Sequence, residues 1–217
     1  MFPIIPDDVI AIASAEVGYH EKVFGTPTPD LYPKRNAYDG TDNWTKYHHD
    51  LSVSQGQPWC GFFLYWCFLQ LLGTVSATND FLHGITYFGG GVDQWYYAFN
   101  NVGKWHYKNS GYTPKAGDAV IFSDDVYTYS HVELITDISG YSSYITDIGG
   151  NTRDPNQQGS QSEGMFVAQR NRSVTASSGF HILGYCEIDY DGTPIGTLPD
   201  YMYGWILKKK KRNRWIW

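Results

Sequence analysis

A cysteine at the start of an apolar segment is the residue of this sequence best placed to do chemistry. Cys60 follows Pro58 and opens an apolar run that ends at Gly73, and a proline before such a run and a glycine after it are typical of helix boundaries. Unpaired backbone N–H groups and the positive end of the helix dipole lie in the first turn, and both favour thiolate over thiol. The start of a helix is therefore a position that suits a nucleophilic cysteine.

The same helix leaves a second interpretation of Cys60 open. Residues three and four apart form one buried face of the predicted helix: Cys60, Phe63, Leu64, Cys67 and Leu71. Cysteine is among the most buried residue types, so a core cysteine also fits this pattern. The helix alone does not decide between a core thiol and a nucleophile.

The composition is that of a folded globular protein rather than a disordered one. The 217 residues are 42% hydrophobic and 18% charged, enough to build a sizeable core. The whole chain carries a net charge of −6 and the segment from Lys208 to Arg214 carries six positive charges, so the rest carries −12, which disfavours nucleic acid as its partner. The many aromatic residues fit either a flat, carbohydrate-containing ligand or an aromatic β core.

The three cysteines are predicted to be free thiols. Cys60 and Cys67 lie two helical turns apart, roughly 10 Å along the axis, which is too far for a disulfide. Their spacing to Cys186 matches no zinc signature, and no phosphate-binding loop or dinucleotide fingerprint is present. We predict no metal and no cofactor.

Helices are predicted in the first half of the chain and strands in the second. Besides the Cys60 helix, helices are expected at 7–18, at 43–48 with Asp42 or Asn43 as the cap, and at 92–101, with irregular segments at 24–42 and 74–91. Strands are expected at 119–122, 130–138, 142–148, 165–172 and 180–188. This order predicts the α+β class, with N-terminal helices packed on a C-terminal antiparallel sheet or half-barrel.

Several motifs occur in an order shared with a known family. They are Asn43 to Tyr47, Gly56 to Phe63, Pro114 to Phe122, Ser130 to Ile135, Gly150 to Thr152, Gly164 to Arg172 and Ile182 to Tyr185. Together they resemble the CHAP domain (cysteine, histidine-dependent amidohydrolase/peptidase) of the papain-like NlpC/P60 superfamily. One motif alone would be weak, whereas the ordered combination is specific.

The resemblance implies a role for three residues. Cys60 is the nucleophile, His131 the base, and Asn151 the group that orients the imidazole. The chemistry of these residue types agrees, because an imidazole deprotonates the thiol and a polar third group fixes the ring. The backbone N–H of Cys60 is expected to help hold the oxyanion. A solvent-facing histidine at a strand end is the alternative for His131.

One position departs from the family pattern. Many members carry an acidic residue two before the asparagine, where this sequence has Gly149. Asp147 has the right strand parity but lies roughly 13 Å from Asn151 along a strand, and cannot replace the missing acid without a bulge. Glu133 shares the face of His131 but occupies an ordinary family position. We therefore predict a Cys-His-Asn triad and leave a fourth, acidic member open.

The function implied by the resemblance is cleavage of an amide bond of bacterial peptidoglycan. The bond lies between the sugar and the first L-alanine (amidase) or within the stem or cross-bridge peptide (endopeptidase). We expect a phage endolysin, made in the host cytoplasm without a Sec signal and released to the wall by a holin or carried in a virion. A bacterial remodelling enzyme would be favoured by an export signal. The alternative from another class is a non-catalytic wall-binding or virion structural module, against which the joint presence of Cys60, His131 and Asn151 argues.

The expected organisation is a CHAP-like catalytic domain over residues 1–190 and a linker with a basic, aromatic tail over 191–217. The tail is expected either to hold the protein on anionic wall polymer or lipid headgroups or to be a disordered, solubilising segment. We expect a monomer. Some relatives bind calcium before the nucleophile, but Asp39 to Asn43 lacks the spacing of a calcium loop and is predicted to be a surface turn.

Overall fold

The fold has helices in the first half of the chain and an antiparallel sheet in the second. The computed structural model describes residues 4–124, 128–139, 143–153 and 164–190. Within these ranges the predicted α+β class is confirmed. The predicted linker and tail at 191–217 and most of the loop at 153–164 lie outside the described residues.

Six α-helices lie within the described ranges. They are α1 (Pro6–Glu16), α2 (Thr28–Leu31), α3 (Lys46–Asp50), α4 (Cys60–Leu72), α5 (Val75–Phe81) and α6 (Val92–Asn101), with a 3-10 turn at Tyr87–Gly89. The predicted helices at the start of the chain and at Cys60 are confirmed, and α6 has the predicted bounds.

The described strands form one six-stranded sheet. They are β1 (Trp105–Tyr107), β2 (Ala119–Ser123), β3 (His131–Asp137), β4 (Tyr144–Thr152), β5 (Phe166–Ser173) and β6 (His181–Cys186). The order across the sheet is β1-β6-β2-β3-β4-β5, and every neighbouring pair is antiparallel. The five predicted strands are confirmed as β2 to β6, whereas the short strand β1 was missed.

Helix α4 is the centre of the fold. It begins at Cys60 and ends before Gly73, which caps it with a φ of 78°, as predicted. Eleven of its thirteen residues are buried, so the single buried face predicted from the spacing is too narrow. A helix that is apolar on all sides is enclosed on all sides. The helix packs against α1, β3 and β4, which places its first residue beside the sheet.

The predicted cap of α3 is wrong. The helix begins at Lys46, and the side-chain oxygen of Thr45 caps it by accepting the His48 N–H at 3.2 Å. Trp44 lies ahead of the helix in an isolated antiparallel bridge, in which the Lys22 N–H donates to the Trp44 carbonyl at 2.8 Å. Asn43 has a φ of 53°, so neither residue has the backbone conformation of a right-handed helix.

The prediction of irregular structure at 74–91 is wrong in part, because α5 lies inside it. Thr74 caps α5 by accepting the Ala77 N–H at 3.2 Å, and Phe81 packs on Phe68 of α4 with ring centroids 5.8 Å apart. This packing is a tertiary contact that the local pattern does not show. In the part of the chain that the structure describes, no single helix is long and apolar enough to cross a membrane, and α4 and α5 meet that test only as a pair bent by 110°.

Candidate active site

Cys60 is the first residue of α4 and lies at the surface of contact between helix and sheet. Its side chain is buried, with 3% of the residue exposed, so it does not face open solvent. The Phe63 N–H is bonded to the Trp59 carbonyl at 2.9 Å, which leaves the N–H groups at residues 60–62 without an intrahelical partner. These donors and the positive end of the helix favour negative charge at Cys60.

His131 is the first residue of β3 and is fully buried. It pairs with Phe122 of β2 across the sheet, and its ring lies 6.3 Å from the Phe122 ring and 6.0 Å from the Phe180 ring. Strand β3 packs against α4, and the imidazole interacts with the Cys60 thiol. The histidine predicted to be the base therefore lies beside the predicted nucleophile, and the solvent-facing alternative is wrong.

The charge of the imidazole depends on its neighbours. Burial by itself lowers the pKa of His131, but the Cys60 thiolate, its hydrogen bond to the ring and then the Glu133 carboxylate outweigh burial and raise the pKa to about 9. The ring is thus held in its protonated form at neutral pH. A thiolate beside an imidazolium is the reactive form of a cysteine nucleophile.

Glu133 is a residue of the site that the sequence prediction left out. Its Oε1 accepts a hydrogen bond from His131 Nε2 at 2.9 Å, and both side chains have no exposed surface. The other ring nitrogen, Nδ1, is buried and has no hydrogen bond of standard geometry in the described part of the chain. Nδ1 is therefore the nitrogen that remains for the thiol. The signal in the sequence was the spacing of two, which puts both side chains on one face of β3.

A buried cation stands behind Glu133. Arg172 of β5 donates from Nη2 to Glu133 Oε1 at 2.7 Å and from Nε to Oε2 at 3.2 Å. Its guanidinium also lies 5.1 Å from the Phe122 ring and 5.0 Å from the Phe180 ring. Burial raises the pKa of Glu133, but Arg172 and then His131 outweigh it and hold that pKa far below its usual range. Glu133 is therefore ionised.

Asn151, the predicted orienting residue, is buried near the end of β4. Its φ is 52°, a conformation that asparagine enters more readily than most residues, and it lies where the β4–β5 register shifts. At the preceding Gly150, a Cβ atom would lie 2.5 Å from the Trp59 ring and 2.6 Å from Phe63 Cβ, so a glycine lets β4 approach the start of α4. The role of Asn151 stays a prediction.

The other titratable candidates have different partners. Asp39 pairs with Lys22 at 2.6 Å and with Arg35, and Asp42 accepts the Phe24 N–H at 2.8 Å, so these two carboxylates of the predicted surface turn are engaged by donors. Across the described ranges, no group of three or more His, Cys, Asp or Glu side chains is arranged to hold a metal ion. The three cysteines are free thiols, as predicted, and all three are buried.

The comparison with protein families agrees with this geometry. Residues 52–151 match the family model described as CHAP domain. This match confirms the resemblance that was inferred from the motifs, and the matched range includes Cys60, His131 and Glu133. The family comprises cysteine- and histidine-dependent amidohydrolases and peptidases associated with peptidoglycan hydrolysis. Neither the curated proteins nor the solved structures gave a match.

Proposed function

We propose that the protein hydrolyses an amide bond of bacterial peptidoglycan, with Cys60 as the nucleophile and His131 as the acid and base. The observation that carries the proposal is the buried pair of Cys60, the first residue of α4, and His131, the first residue of β3, whose ring is bound by Glu133. The CHAP match supports the substrate class.

The chemistry follows from the groups at the site. The Cys60 sulfur attacks the amide carbonyl carbon, a C–S bond forms, and negative charge develops on the carbonyl oxygen, where backbone N–H groups of the first turn of α4 stabilise it. His131 gives its proton to the leaving nitrogen, the C–N bond breaks, and a thioester remains. Water then attacks the thioester carbon while the imidazole takes its proton, the C–S bond breaks, and the acid product leaves with Cys60 restored as a thiolate beside the protonated imidazole.

We further propose that the domain has the papain-like arrangement, in which the nucleophile helix packs on an antiparallel sheet that carries the base. The packing of α4 against β3 and β4 supports it. The cleaved bond is that of an N-acetylmuramoyl-L-alanine amidase or of a stem or cross-bridge endopeptidase. A phage endolysin role, with release by a holin or in a virion, stays a prediction from the resemblance.

The test is digestion of purified sacculi of several wall types, with mass spectrometry of the released muropeptides. New termini identify the bond, because an amidase frees the lactyl carboxyl of the sugar and the amine of the first L-alanine, whereas an endopeptidase leaves that amide intact and frees an amine and a carboxyl within the peptide. Cys60→Ala is expected to lower the rate by roughly 10⁵-fold or more. Cys67→Ala, which removes a buried thiol from the same helix, is the matched control and is expected to keep the activity. Lysis by the Cys60→Ala protein would contradict the proposal.

A further inference from the structure

The carboxylate at the imidazole comes from the same strand as the imidazole. Glu133 is two residues after His131 on β3, and its Oε1 lies 2.9 Å from Nε2 in a site without exposed surface. A carboxylate on one ring nitrogen fixes the rotation of the ring and keeps that nitrogen protonated. The other nitrogen can then exchange a proton with the Cys60 thiol.

The space that Glu133 fills lies directly over Gly149 of the neighbouring strand β4. A Cβ atom at residue 149 would lie 2.4 Å from both Cγ and Oε1 of Glu133. No real Cβ tolerates such a contact, so a side chain at 149 and the present position of Glu133 exclude each other. Residue 149 is the position two before Asn151, where the resemblance had led us to expect an acid.

The other nearby acid, Asp147 of β4, is not the carboxylate bound to the imidazole. Its carboxyl is buried, and Arg172 Nε lies 3.6 Å from its Oδ1. That separation is an ion pair rather than a hydrogen bond, and both carboxyl oxygens lack a hydrogen bond of standard geometry within the described residues. Burial and then Glu133 raise the pKa of Asp147 well above its ordinary value, so the carboxylate charge of the group resides on Glu133.

Arg172 keeps the Glu133 carboxylate in one place. It donates to both carboxylate oxygens and, at 3.3 Å, to Thr152 Oγ1 at the end of β4. The two-point contact fixes the plane of the carboxylate, and the positive charge of Arg172 balances the negative charge of the buried carboxylate.

We propose that Glu133 is the positioning residue for His131, and that it occupies on β3 the space that a β4 acid at residue 149 would otherwise fill. This rests on the proposed function of Cys60 and His131. Glu133 and Gly149 thus depend on each other. The absence of a side chain at residue 149 leaves room for the Glu133 side chain, and Glu133 supplies the carboxylate that the family pattern places at residue 149.

The experiment is an exchange of the carboxylate between the two strands. Four forms of the full chain are compared: wild type, Glu133→Ala, Gly149→Glu, and the double variant Glu133→Ala/Gly149→Glu. Each single change is expected to lower sacculus hydrolysis, by about 10²- to 10⁴-fold for Glu133→Ala. The double variant is expected to recover at least about tenfold over Glu133→Ala, because its carboxylate enters the vacated space from β4. Glu133→Ala/Gly149→Ala is the matched control and should show no recovery.

A second measurement reports on the thiol without any wall substrate. The rate of Cys60 alkylation by iodoacetamide is followed against pH. The pH at which the His131 ring loses its proton is expected to be lower in Glu133→Ala than in wild type. In the double variant this pH is expected to return toward the wild-type value. The titratable and charged groups that face the pair are Cys60 of α4, Asp147 of β4, and Arg170 and Arg172 of β5. Glu133→Gln/Arg172→Met removes both buried charges together and keeps the test available if Glu133→Ala does not fold.

The outcomes separate this inference from the proposed function. Wild-type hydrolysis with equal hydrolysis by Glu133→Ala would overturn the inference and leave the function standing. Alkylation that depends on Glu133 without any wall cleavage by wild type would support the inference and overturn the function. A double variant no faster than the alanine control would show that the carboxylate is not exchangeable and would overturn the pairing with Gly149.

Discussion

The start and the middle of α4 carry the same chemical group in two different environments. Cys60 and Cys67 lie two turns apart on one helix, with 3% and 0% of their surface exposed. Beside Cys60 is an imidazole that the structure holds protonated. At Cys67, burial and then Glu16 raise the pKa of the thiol well above its ordinary value, which outweighs the opposing effect of Lys46. Burial therefore neither identifies nor excludes a nucleophile, and the charge that faces the thiol decides.

The cations near the two thiols differ in what else they bind. Lys46 is paired with Glu16 at 2.6 Å, and the Tyr47 hydroxyl donates to the same carboxylate at 2.8 Å, so the charge near Cys67 is already balanced. His131 has one nitrogen on Glu133 and keeps the other for the thiol. Among the residues that the structure describes, the sheet thus places an imidazole beside Cys60 and none beside Cys67.

The largest expected effect comes from removing the imidazole. His131→Gln is expected to lower sacculus hydrolysis by about 10⁴-fold or more, because thiol activation and leaving-group protonation are both lost. His106→Gln is the matched control, since the ring of His106 also pairs with a glutamate, Glu187, at 2.8 Å, and its face stacks on the Tyr112 ring. Equal loss in the two variants would indicate a folding defect rather than a catalytic role.

The next effect concerns the buried cation behind the site. Arg172→Met leaves Glu133 buried without its partner and is expected to lower the free energy of unfolding by about 3–5 kcal/mol. Arg35→Met is the control, because the Arg35 side chain is 60% exposed in its pair with Asp39 and such pairs contribute about 1 kcal/mol or less. Urea unfolding measures both. Equal stability losses would mean that burial does not distinguish the two arginines.

The pH dependence follows from the direction of the His131 shift. Its pKa is raised from 6.5 to about 9, so the protonated ring stabilises the fold fully below pH 6.5, and this contribution is lost as the pH rises through about 9. The hydrolysis rate is expected to fall as the pH rises through about 9, and by about tenfold per pH unit above that value. Hydrolysis rates and unfolding midpoints measured from about pH 6 to 10 test the direction of the pKa shift. A rate that keeps rising beyond pH 9 contradicts it.

The smallest effect is expected at the middle of the helix. Cys67→Ala removes one buried sulfur atom and should cost about 1 kcal/mol of stability through the small cavity it leaves. Activity should stay near wild type, because Cys67 is enclosed in the core. Thermal unfolding and the hydrolysis rate are measured on the same sample. A large loss of rate with little loss of stability would place Cys67 at the reaction.

The sequence predicted the parts of the site that local signals encode. Pro58, the apolar run and Gly73 gave the bounds of α4, and the ordered motifs pointed to Cys60 and His131, which the structure brings together. Sequence alternation also put Glu133 on the face of His131, but it did not show that the carboxylate reaches the ring.

What local patterns missed depends on contacts between distant residues. Whether Glu133 fits is decided by the absence of a side chain at Gly149 on the next strand, and whether it stays charged is decided by Arg172 on the strand beyond. The short strand β1 likewise forms through pairing with β6, far along the chain. The register of the strands and their packing across the sheet depend on residues from several strands, so no single segment of the sequence predicts them.

The central claim is that the two thiols of α4 differ in reactivity because Cys60 faces a protonated imidazole and Cys67 does not. Site-resolved alkylation of the native protein tests this claim most directly. Iodoacetamide is applied at neutral pH, and peptide mass spectrometry follows Cys60, Cys67 and Cys186 separately. We expect rapid modification of Cys60, slow modification of the other two, and a Cys60 rate that falls to that of Cys67 in His131→Gln. Comparable rates at Cys60 and Cys67, or a Cys60 rate unchanged by His131→Gln, would contradict it.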